Sequence, residues 1–171
     1  MLCSSVNLKA QDQFVPKAPL GSGLRGVSPV ICQVISEENT PRTLIKYIMD
    51  EAFSHLGTRY RSGAKGPNAF DCSGFTGYVF KQFDHIIGAS SRDQYAKNTP
   101  IKRSDMRRGD LVFFTSARSG GNVGHVGIVV DVDPNTDTFS FIHASTRYGV
   151  IVSRSNEGYY AQRFVGVRRV I

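Results

Sequence analysis

The chain has 171 residues, 40% of them hydrophobic, and a formal net charge of +7. This size is typical of one domain with a short appendage, and the composition excludes a fibrous or disordered protein. No apolar run approaches the ~18–20 residues that cross a bilayer, which excludes a transmembrane helix. The basic residues are scattered and accompany no nucleic-acid recognition motif. We therefore expect either a solvated basic surface or attraction to an acidic polymer, and no nucleic-acid partner.

The three cysteines, Cys3, Cys32 and Cys72, are too few to form a disulfide framework, although pairing of Cys3 with Cys32 stays open. No zinc-ligand spacing is present, and we expect neither a metal nor a cofactor. Cys3 is followed by two serines, a start that resembles the mature end of a bacterial lipoprotein, but without the apolar segment that export requires. Two interpretations stay open: Cys3 carries a lipid anchor after removal of earlier residues, or it is an ordinary N-terminal residue.

Residues 1–39 follow neither a helical nor a strand period. They contain three prolines and the run Gly21-Ser22-Gly23, which predicts an irregular arm or linker. We see no internal repeat, and we expect the folded domain over residues 40–171.

The first helix is predicted to begin at Thr40, a good N-cap, with Pro41 at a position where no amide partner is lost. Apolar residues then recur at helical spacing up to Gly57, which is placed to end the helix. Two further helices are predicted, one carrying Phe75, Val79 and Phe83 at intervals of four residues and a short one over Ser91–Lys97.

From Gly109 onward the pattern changes to short runs rich in β-branched and aromatic residues. Helices first and strands afterwards predict an α+β domain with an antiparallel sheet. The predicted strands are Leu111 to Phe114, His125 to Val130, Phe139 to His143, Val150 to Val152 and Phe164 to Val170.

Asp71 is a natural N-cap, which places Cys72 in the first turn of the helix that carries Phe75. Unpaired amides and the helix dipole favour an anion there, so we expect a lowered pKa of the Cys72 thiol. The same amides are placed to donate to a developing oxyanion. The alternative is a buried cysteine that packs as a small hydrophobe, which the flanking Asp, Ser and Gly disfavour. The pattern therefore predicts a nucleophilic thiol.

A cysteine nucleophile needs a base, and two histidines flank residues 133–137, a stretch rich in turn formers. A symmetric hairpin centred on Pro134 would pair His125 directly with His143 on one face of the sheet, with Cβ atoms ~5 Å apart. A bulge in either strand would break this register. Each histidine alone is more often a packing or surface residue, but two imidazoles so placed suit a general base and the group that orients it.

Several blocks of sequence occur in the order of a known family: GTRY (57–60), FDCSGF (70–75), GDLVFF (109–114), GHVGI (124–128) and FIHA (141–144). Together they resemble the NlpC/P60 cell-wall peptidases over about residues 41–171. The resemblance implies a papain-like α+β fold, with Cys72 as nucleophile, His125 as base and His143 as third member. It also implies hydrolysis of a peptide bond in the stem peptide of bacterial peptidoglycan, commonly after γ-D-glutamate, in the cell envelope or outside the cell.

The resemblance brings three further residues to the site. Tyr60 matches a tyrosine beside the catalytic cysteine whose hydroxyl donates to the oxyanion, with a packing aromatic as the alternative. Asp71 and Ser73 match positions that in some members hold the free amine of the stem's first alanine, although Asp71 also suits a simple helix cap. Two departures bear on substrate preference: Gly63-Ala64 replaces a pair of glycines, and Ala89 stands where the family often has arginine.

Two other functions stay open at this point. A related papain-like amidase or acyltransferase would keep Cys72 and His125 but act on a different amide or ester. A non-catalytic wall-binding module would have no chemical need for Cys72, His125 and His143 together, which disfavours it. We expect peptidoglycan or its fragments as the partner and take a monomer as the default state.

Overall fold

The computed structural model describes residues 40–171. The predicted arm over residues 1–39, the pairing of Cys3 with Cys32 and the lipid anchor at Cys3 lie outside the described residues. Three helices come first: α1 is Pro41–Ser54, α2 is Cys72–Lys81 and α3 is Ser91–Lys97. The strands that follow are β1 (Thr99–Ile101), β2 (Leu111–Thr115), β3 (Val123–Asp133), β4 (Thr138–Ser145), β5 (Gly149–Arg154) and β6 (Phe164–Arg169), with a 3-10 turn at Arg103–Asp105 before β2.

Within residues 40–171 the strands form one six-stranded antiparallel sheet in the order β1-β6-β2-β3-β4-β5. Helices followed by an antiparallel sheet confirm the predicted α+β class. Helix α2 lies where the spacing of Phe75 and Val79 predicts it but ends at Lys81, before Phe83, and α3 has the predicted bounds. In this part of the chain, no helix has the length and apolar character needed to span a membrane.

Helix α1 begins as its sequence predicts. The Thr40 side chain accepts a hydrogen bond from the backbone amide three residues on, and Pro41 occupies the first turn. The helix ends at Ser54 and does not continue to Gly57. The chain turns toward β5 at this point, and the Gly57 amide donates to the Val150 carbonyl at 2.9 Å.

The sheet separates two hydrophobic cores. The larger core lies between the helices and one sheet face, where Phe75 and Val79 of α2 pack with Phe113 and Ile128 of the sheet. This packing holds α2 against β3, the strand that carries one of the two candidate histidines. The smaller core lies on the other face and consists of Met106, Val112, Phe114, Val129, Phe139, Phe141 and Val167.

The sequence pattern does not predict β1. This strand has three residues with Pro100 in the middle, and it pairs only with β6 at the edge of the sheet. Proline lacks an amide donor and is tolerated at a sheet edge, and three residues are too few to show alternation. The other strands begin and end within three residues of their predicted bounds.

The predicted direct pairing of His125 with His143 is wrong. The turn between β3 and β4 is centred farther along the chain than predicted, because Asp133 opposes Thr138. A Cβ on Gly127 would lie 3.1 Å from the Cβ of His143. His143 therefore lies beside Gly127, and His125 is its diagonal neighbour.

A bulge at Val130 nevertheless keeps both histidines on one face. On the turn side of the bulge Val132 opposes Phe139, and on the other side Ile128 opposes Ile142, which leaves one residue of β3 unpaired. Successive residues of a strand point to opposite faces of the sheet. If the pairing on the turn side of the bulge continued unchanged along both strands, the two imidazoles would therefore emerge on opposite faces of the sheet.

Replacing Gly127 by alanine should destabilise the protein. The added Cβ would lie 2.7 Å from the Phe141 ring and 2.9 Å from the Ile142 carbonyl oxygen in the adjoining strand. We expect the free energy of unfolding, measured by urea denaturation, to fall by about 2 kcal/mol. Gly77→Ala in α2 is the matched control, because its Cβ meets no atom closer than 3.6 Å and alanine favours a helix by up to about 1 kcal/mol. Equal stability of Gly127→Ala and wild type would contradict the close packing.

Candidate active site

Helix α2 begins at a tightly bonded cap. The Asp71 carboxylate accepts a hydrogen bond from the Gly74 amide at 2.6 Å and one from the Ser73 hydroxyl at 3.0 Å. Such bonds satisfy amides that a helix start leaves unpaired. Cys72 is therefore held in the first turn of α2, where its sequence context predicts it.

The loop before α2 packs directly on this cap. The Asp71 amide donates to the Ala64 carbonyl at 2.9 Å. A Cβ on Gly74 would collide with the same carbonyl oxygen, so only glycine lets the loop lie this close to the helix. Gly74 thus fixes the position of the loop relative to Cys72.

Tyr60 lies on this loop, close to the thiol. A backbone bridge joins Tyr60 to Phe70, two residues before Cys72. Burial raises the pKa of the Tyr60 hydroxyl, as do the charges of Cys72 and Asp71, while Arg118 opposes the rise. A protonated phenol therefore lies near the Cys72 sulfur.

The expected lowering of the pKa of the Cys72 thiol by the helix start is wrong. Burial and then the charge of Asp71 raise this pKa above its ordinary value, and they outweigh the backbone amides of Ser73, Val126 and Cys72 itself, which favour the thiolate. A charge in a low-dielectric site loses its hydration, and the amide dipoles do not replace all of it. The resting cysteine is therefore a neutral thiol.

His125 and His143 form a hydrogen-bonded pair. His125 Nε2 lies 2.9 Å from His143 Nδ1, and the two ring centroids are 4.9 Å apart. His143 is fully buried, and its Nε2 lies 2.9 Å from the Ser153 hydroxyl. Because Nε2 of His125 is engaged in this pair, Nδ1 is the ring nitrogen of His125 that stays available for another partner. A chain of hydrogen bonds thus leads from His125 into the sheet.

The imidazole pair lies on the sheet face that does not carry α2. Phe114 opposes His125 in the adjoining strand and belongs to the smaller core on that face. Cys72 is linked to β3, the strand of His125, through Val126, whose backbone amide is among the groups that favour its thiolate. Cys72 and the two imidazoles therefore come from two different layers of the fold.

Tyr160 is a site residue that the sequence analysis missed. Its ring stacks on His125 with centroids 5.9 Å apart, and its hydroxyl lies 3.4 Å from His143 Nε2. Burial, followed by the charges of Tyr159 and Cys72, raises its pKa, so the hydroxyl stays protonated. Tyr160 lies in an irregular segment between β5 and β6, where no periodic pattern marks a tyrosine as a site residue.

Lys65, which the sequence analysis did not assign, contacts the residues expected to receive a substrate amine. Its Nζ lies 3.4 Å from both the Asp71 carboxylate and the Ser73 hydroxyl, and 3.0 Å from the Ala89 carbonyl. The Lys65 side chain is 55% exposed, and ion pairs of an exposed lysine are weak. A cation of the chain itself thus balances the charge of Asp71.

Both imidazoles are neutral at neutral pH. Burial lowers the pKa of His125 to about 4. Burial and the positive charge of His125 also lower the pKa of His143. With the pKa of the Cys72 thiol raised and that of His125 lowered, the resting site holds a thiol and an imidazole and not an ion pair.

Among residues 40–171, no group of His, Cys, Asp and Glu side chains is arranged to hold a metal ion. In the same part of the chain, every buried side-chain nitrogen and oxygen has a hydrogen-bond partner. The polar groups of the site are therefore positioned by one another.

Residues 57–169 match the sequence model of the NlpC/P60 family. The murein DD-endopeptidase MepS/murein LD-carboxypeptidase of Escherichia coli is 38% identical to this chain over 125 residues, which cover 72% of the chain and 62% of that protein. The probable endopeptidase p60 of Listeria grayi is 43% identical over 101 residues, which cover 56% of the chain and 19% of that protein. The chain thus spans less than two thirds of the length of either relative.

Two solved structures share the fold. A protein of the NLP/P60 family from Staphylococcus aureus, described as similar to lipoprotein, superimposes with a TM-score of 0.65 at 29% identity, covering 81% of this chain and 48% of that one. The NlpC/P60 domain of the peptidoglycan hydrolase SagA superimposes with a TM-score of 0.60 at 31% identity, covering 73% and 97%. These likenesses confirm the papain-like α+β fold.

Asp71→Asn should make Cys72 more reactive. Asparagine caps a helix about as well as aspartate, so the change removes a charge that raises the pKa of the thiol while α2 stays in place. We expect alkylation of Cys72 by iodoacetamide at about pH 7.5 to become severalfold faster, measured by mass spectrometry of the peptide that contains it. Asp50→Asn on the exposed face of α1 is the matched control. An unchanged rate in Asp71→Asn would show that the carboxylate does not act on the thiol.

The folded state should lose stability as the pH falls from about 6.5 toward 4. Histidines of the unfolded chain titrate near 6.5, whereas burial holds the pKa of His125 and of His143 lower in the folded state. In this window the unfolded state binds more protons, so stability present above it is lost with falling pH. The urea concentration at the midpoint of unfolding should therefore decrease as the pH falls across this range. The decrease per pH unit should be smaller in His143→Gln, which lacks one of the two imidazoles. An equal decrease per pH unit in wild type and in His143→Gln would argue against a buried, neutral imidazole at His143.

Proposed function

This chain belongs to the NlpC/P60 family, and we propose that it is a cysteine endopeptidase that hydrolyses a peptide bond in the stem peptide of bacterial peptidoglycan. The observation that carries the proposal is the 2.9 Å hydrogen bond between His125 and His143, on the strand whose Val126 amide favours the Cys72 thiolate. Relatives named murein DD-endopeptidase and probable endopeptidase p60 support it. Such a reaction places the protein in the cell envelope or outside the cell.

In the first step, His125 removes the thiol proton as the Cys72 sulfur attacks the scissile carbonyl carbon. Nδ1 of His125 has a lone pair for this proton when Nε2–H donates to His143 Nδ1. His143 Nε2–H then donates to the hydroxyl oxygen of Ser153. This order of donors fixes the tautomer of each ring and stabilises the positive charge that develops on His125.

The carbonyl oxygen gains negative charge during this attack. We assign the backbone amide of Cys72 and the hydroxyl of Tyr60 as its donors. The amide lies in the first turn of α2, where backbone N–H groups have no partner within the helix. Tyr60 keeps its proton because burial raises the pKa of its hydroxyl.

The intermediate collapses when His125 gives its proton to the leaving nitrogen and the carbon–nitrogen bond breaks. An acyl thioester on Cys72 remains after the amine departs. Water then attacks the thioester with His125 as base, and release of the carboxylic acid restores the thiol. The cycle is complete with the groups of this site and water.

The bond after γ-D-glutamate is the proposed point of cleavage, as the resemblance implies. Asp71 and Ser73 would receive a free amine at the start of the stem peptide. The incoming ammonium would replace Lys65 Nζ, whose contacts with these two residues are both 3.4 Å long. Because Lys65 is largely exposed, it can return to water when the amine binds.

Hydrolysis of defined muropeptides, with products identified by mass spectrometry, tests the proposal. Cys72→Ala should abolish hydrolysis while the melting temperature stays near that of wild type, since attack requires the sulfur. His125→Ala should be nearly as damaging, because the thiol loses its base. His143→Gln and His143→Asn should retain more activity than His143→Ala, because an amide replaces part of the hydrogen bonding to His125. All three variants of His143 should exceed His125→Ala in kcat/KM.

Changing both histidines to alanine should be little worse than His125→Ala, because the two residues act as a unit. Substantial activity of Cys72→Ala, or full activity of His143→Ala, would refute the assigned roles. Products cut at a different amide, or acyl transfer to an amine in place of water, would identify a related amidase or acyltransferase. Binding to peptidoglycan without any hydrolysis would identify a wall-binding module.

A further inference from the structure

A cavity of about 350 Å³ opens at the start of β3, the strand that carries His125, between the start of α3 and the loop from β2 to β3. Two arginines line it, Arg92 from α3 and Arg118 from the loop, together with Gly124, the residue before His125. Among the described residues, those that line the cavity include no acidic side chain. Its remaining lining residues are Ser90, Ser91, Ser116, Ser119 and Val123.

The loop that carries Arg118 is closely bonded and packed. The Ser119 hydroxyl accepts a hydrogen bond from the Ser116 amide at 2.8 Å and donates to the Ser116 carbonyl at 3.0 Å. A Cβ on Gly124 would collide with the Ser116 side chain, so the loop lies directly on the start of β3. This contact fixes the loop that carries Arg118 against Gly124, the residue before His125.

Both guanidinium groups retain donors for a ligand. Arg92 Nε donates to the Val123 carbonyl at 3.3 Å, which orients the group and leaves its two terminal nitrogens without a partner among the described residues. Arg118 likewise has no hydrogen bond or ion pair within residues 40–171. Its charge nevertheless acts on the site, because it opposes the rise that burial causes in the pKa of Tyr60.

The carboxylate next to Arg92 in sequence does not neutralise the cavity. Asp93 accepts a hydrogen bond from the Ala89 amide at 2.8 Å and pairs with Lys97 at 3.1 Å. The cavity therefore keeps two positive charges beside a site that receives a peptide.

We propose that Arg92 and Arg118 form a subsite for a free carboxylate of the peptide beside the scissile bond. Planar guanidinium groups match the geometry of a carboxylate and form charge-assisted hydrogen bonds with it. The subsite rests on the proposed function, which brings a stem peptide to Cys72, and it names a substrate group for the same site.

Two carboxylates of a stem peptide lie close to the proposed bond. A γ-linked glutamate leaves its α-carboxylate free, separated from the scissile carbonyl by the α-carbon and two methylene groups. A diaminopimelate on the amine side carries a second carboxylate at the end of its side chain. Both sources present the same chemistry to the arginine pair.

Three synthetic stem peptides distinguish the sources: one with both carboxylates free, one amidated at glutamate and one amidated at the diaminopimelate side chain. For wild type, we expect amidation of the recognised carboxylate to raise KM about tenfold with little change in kcat, because the contact is present before and during the reaction. Arg92→Gln and Arg118→Gln should raise KM by a similar factor for the fully charged peptide. They should have no further effect on the peptide that lacks the recognised carboxylate.

Arg42→Gln at the start of α1 removes the same charge at a residue that does not line the cavity and should leave KM unchanged. Equal KM values for all three peptides, or equal effects of Arg92→Gln and Arg118→Gln on every peptide, would overturn the subsite.

Calorimetric titration of Cys72→Ala with the same peptides measures binding without cleavage. If wild type cuts none of the peptides, the proposed function fails. Weaker binding of one amidated peptide to Cys72→Ala then still supports the subsite, and equal binding of all three overturns it.

Discussion

The bulge at Val130, the residue of β3 that has no opposing residue in β4, places the two histidines on the same face of the sheet. Side chains alternate along a strand, so each residue between the hairpin turn and His125 affects the face on which His125 emerges. The hydrogen bond between His125 and His143 exists because the bulge offsets the pairing that the turn begins. The same face carries Phe114 and Phe141 of the smaller core. The shared face buries His143 completely and His125 in part, and this burial lowers the pKa of both rings.

Burial then sets the protonation of the whole site. It raises the pKa of Cys72 and lowers the pKa of His125, so the resting site holds a thiol and an imidazole rather than an ion pair. Backbone amides around the sulfur lower the pKa of Cys72, but on burial the thiolate loses more hydration free energy than these amide dipoles return. A neutral thiol reacts slowly with oxidants and with unselected electrophiles, because the thiolate is the reactive form. Under the proposed mechanism, deprotonation would occur only when a substrate carbonyl is in place.

Charged groups around the site are separated by sign. At the start of α2, the Asp71 carboxylate has an exposed lysine, Lys65, as its partner. At the start of β3, Arg92 and Arg118 line a cavity without an acidic lining residue among those described. A stem peptide carries both an ammonium group and carboxylates, so the two proposed contacts would fix its direction across the thiol. Complementary charges of this kind contribute more to specificity and orientation than to affinity. The overall charge of +7 by itself would not orient a substrate.

The sequence by itself determined the features whose causes are local. Thr40 and Asp71 cap helices because their side chains reach amides in the next turn, and the second cap alone places Cys72 at a helix start. Periodicity located three helices and five strands, and the ordered blocks identified the family. The short edge strand β1 lacked such a pattern. Tyr160, Ser153 and Lys65 reach the site from segments that only the fold brings together. The register of β3 on β4 depends on a bulge that no single residue specifies, and the pKa of Cys72 depends on how much water the packed chain excludes. Only the tertiary structure decided these properties, because strand register and desolvation arise from contacts between residues far apart in the chain.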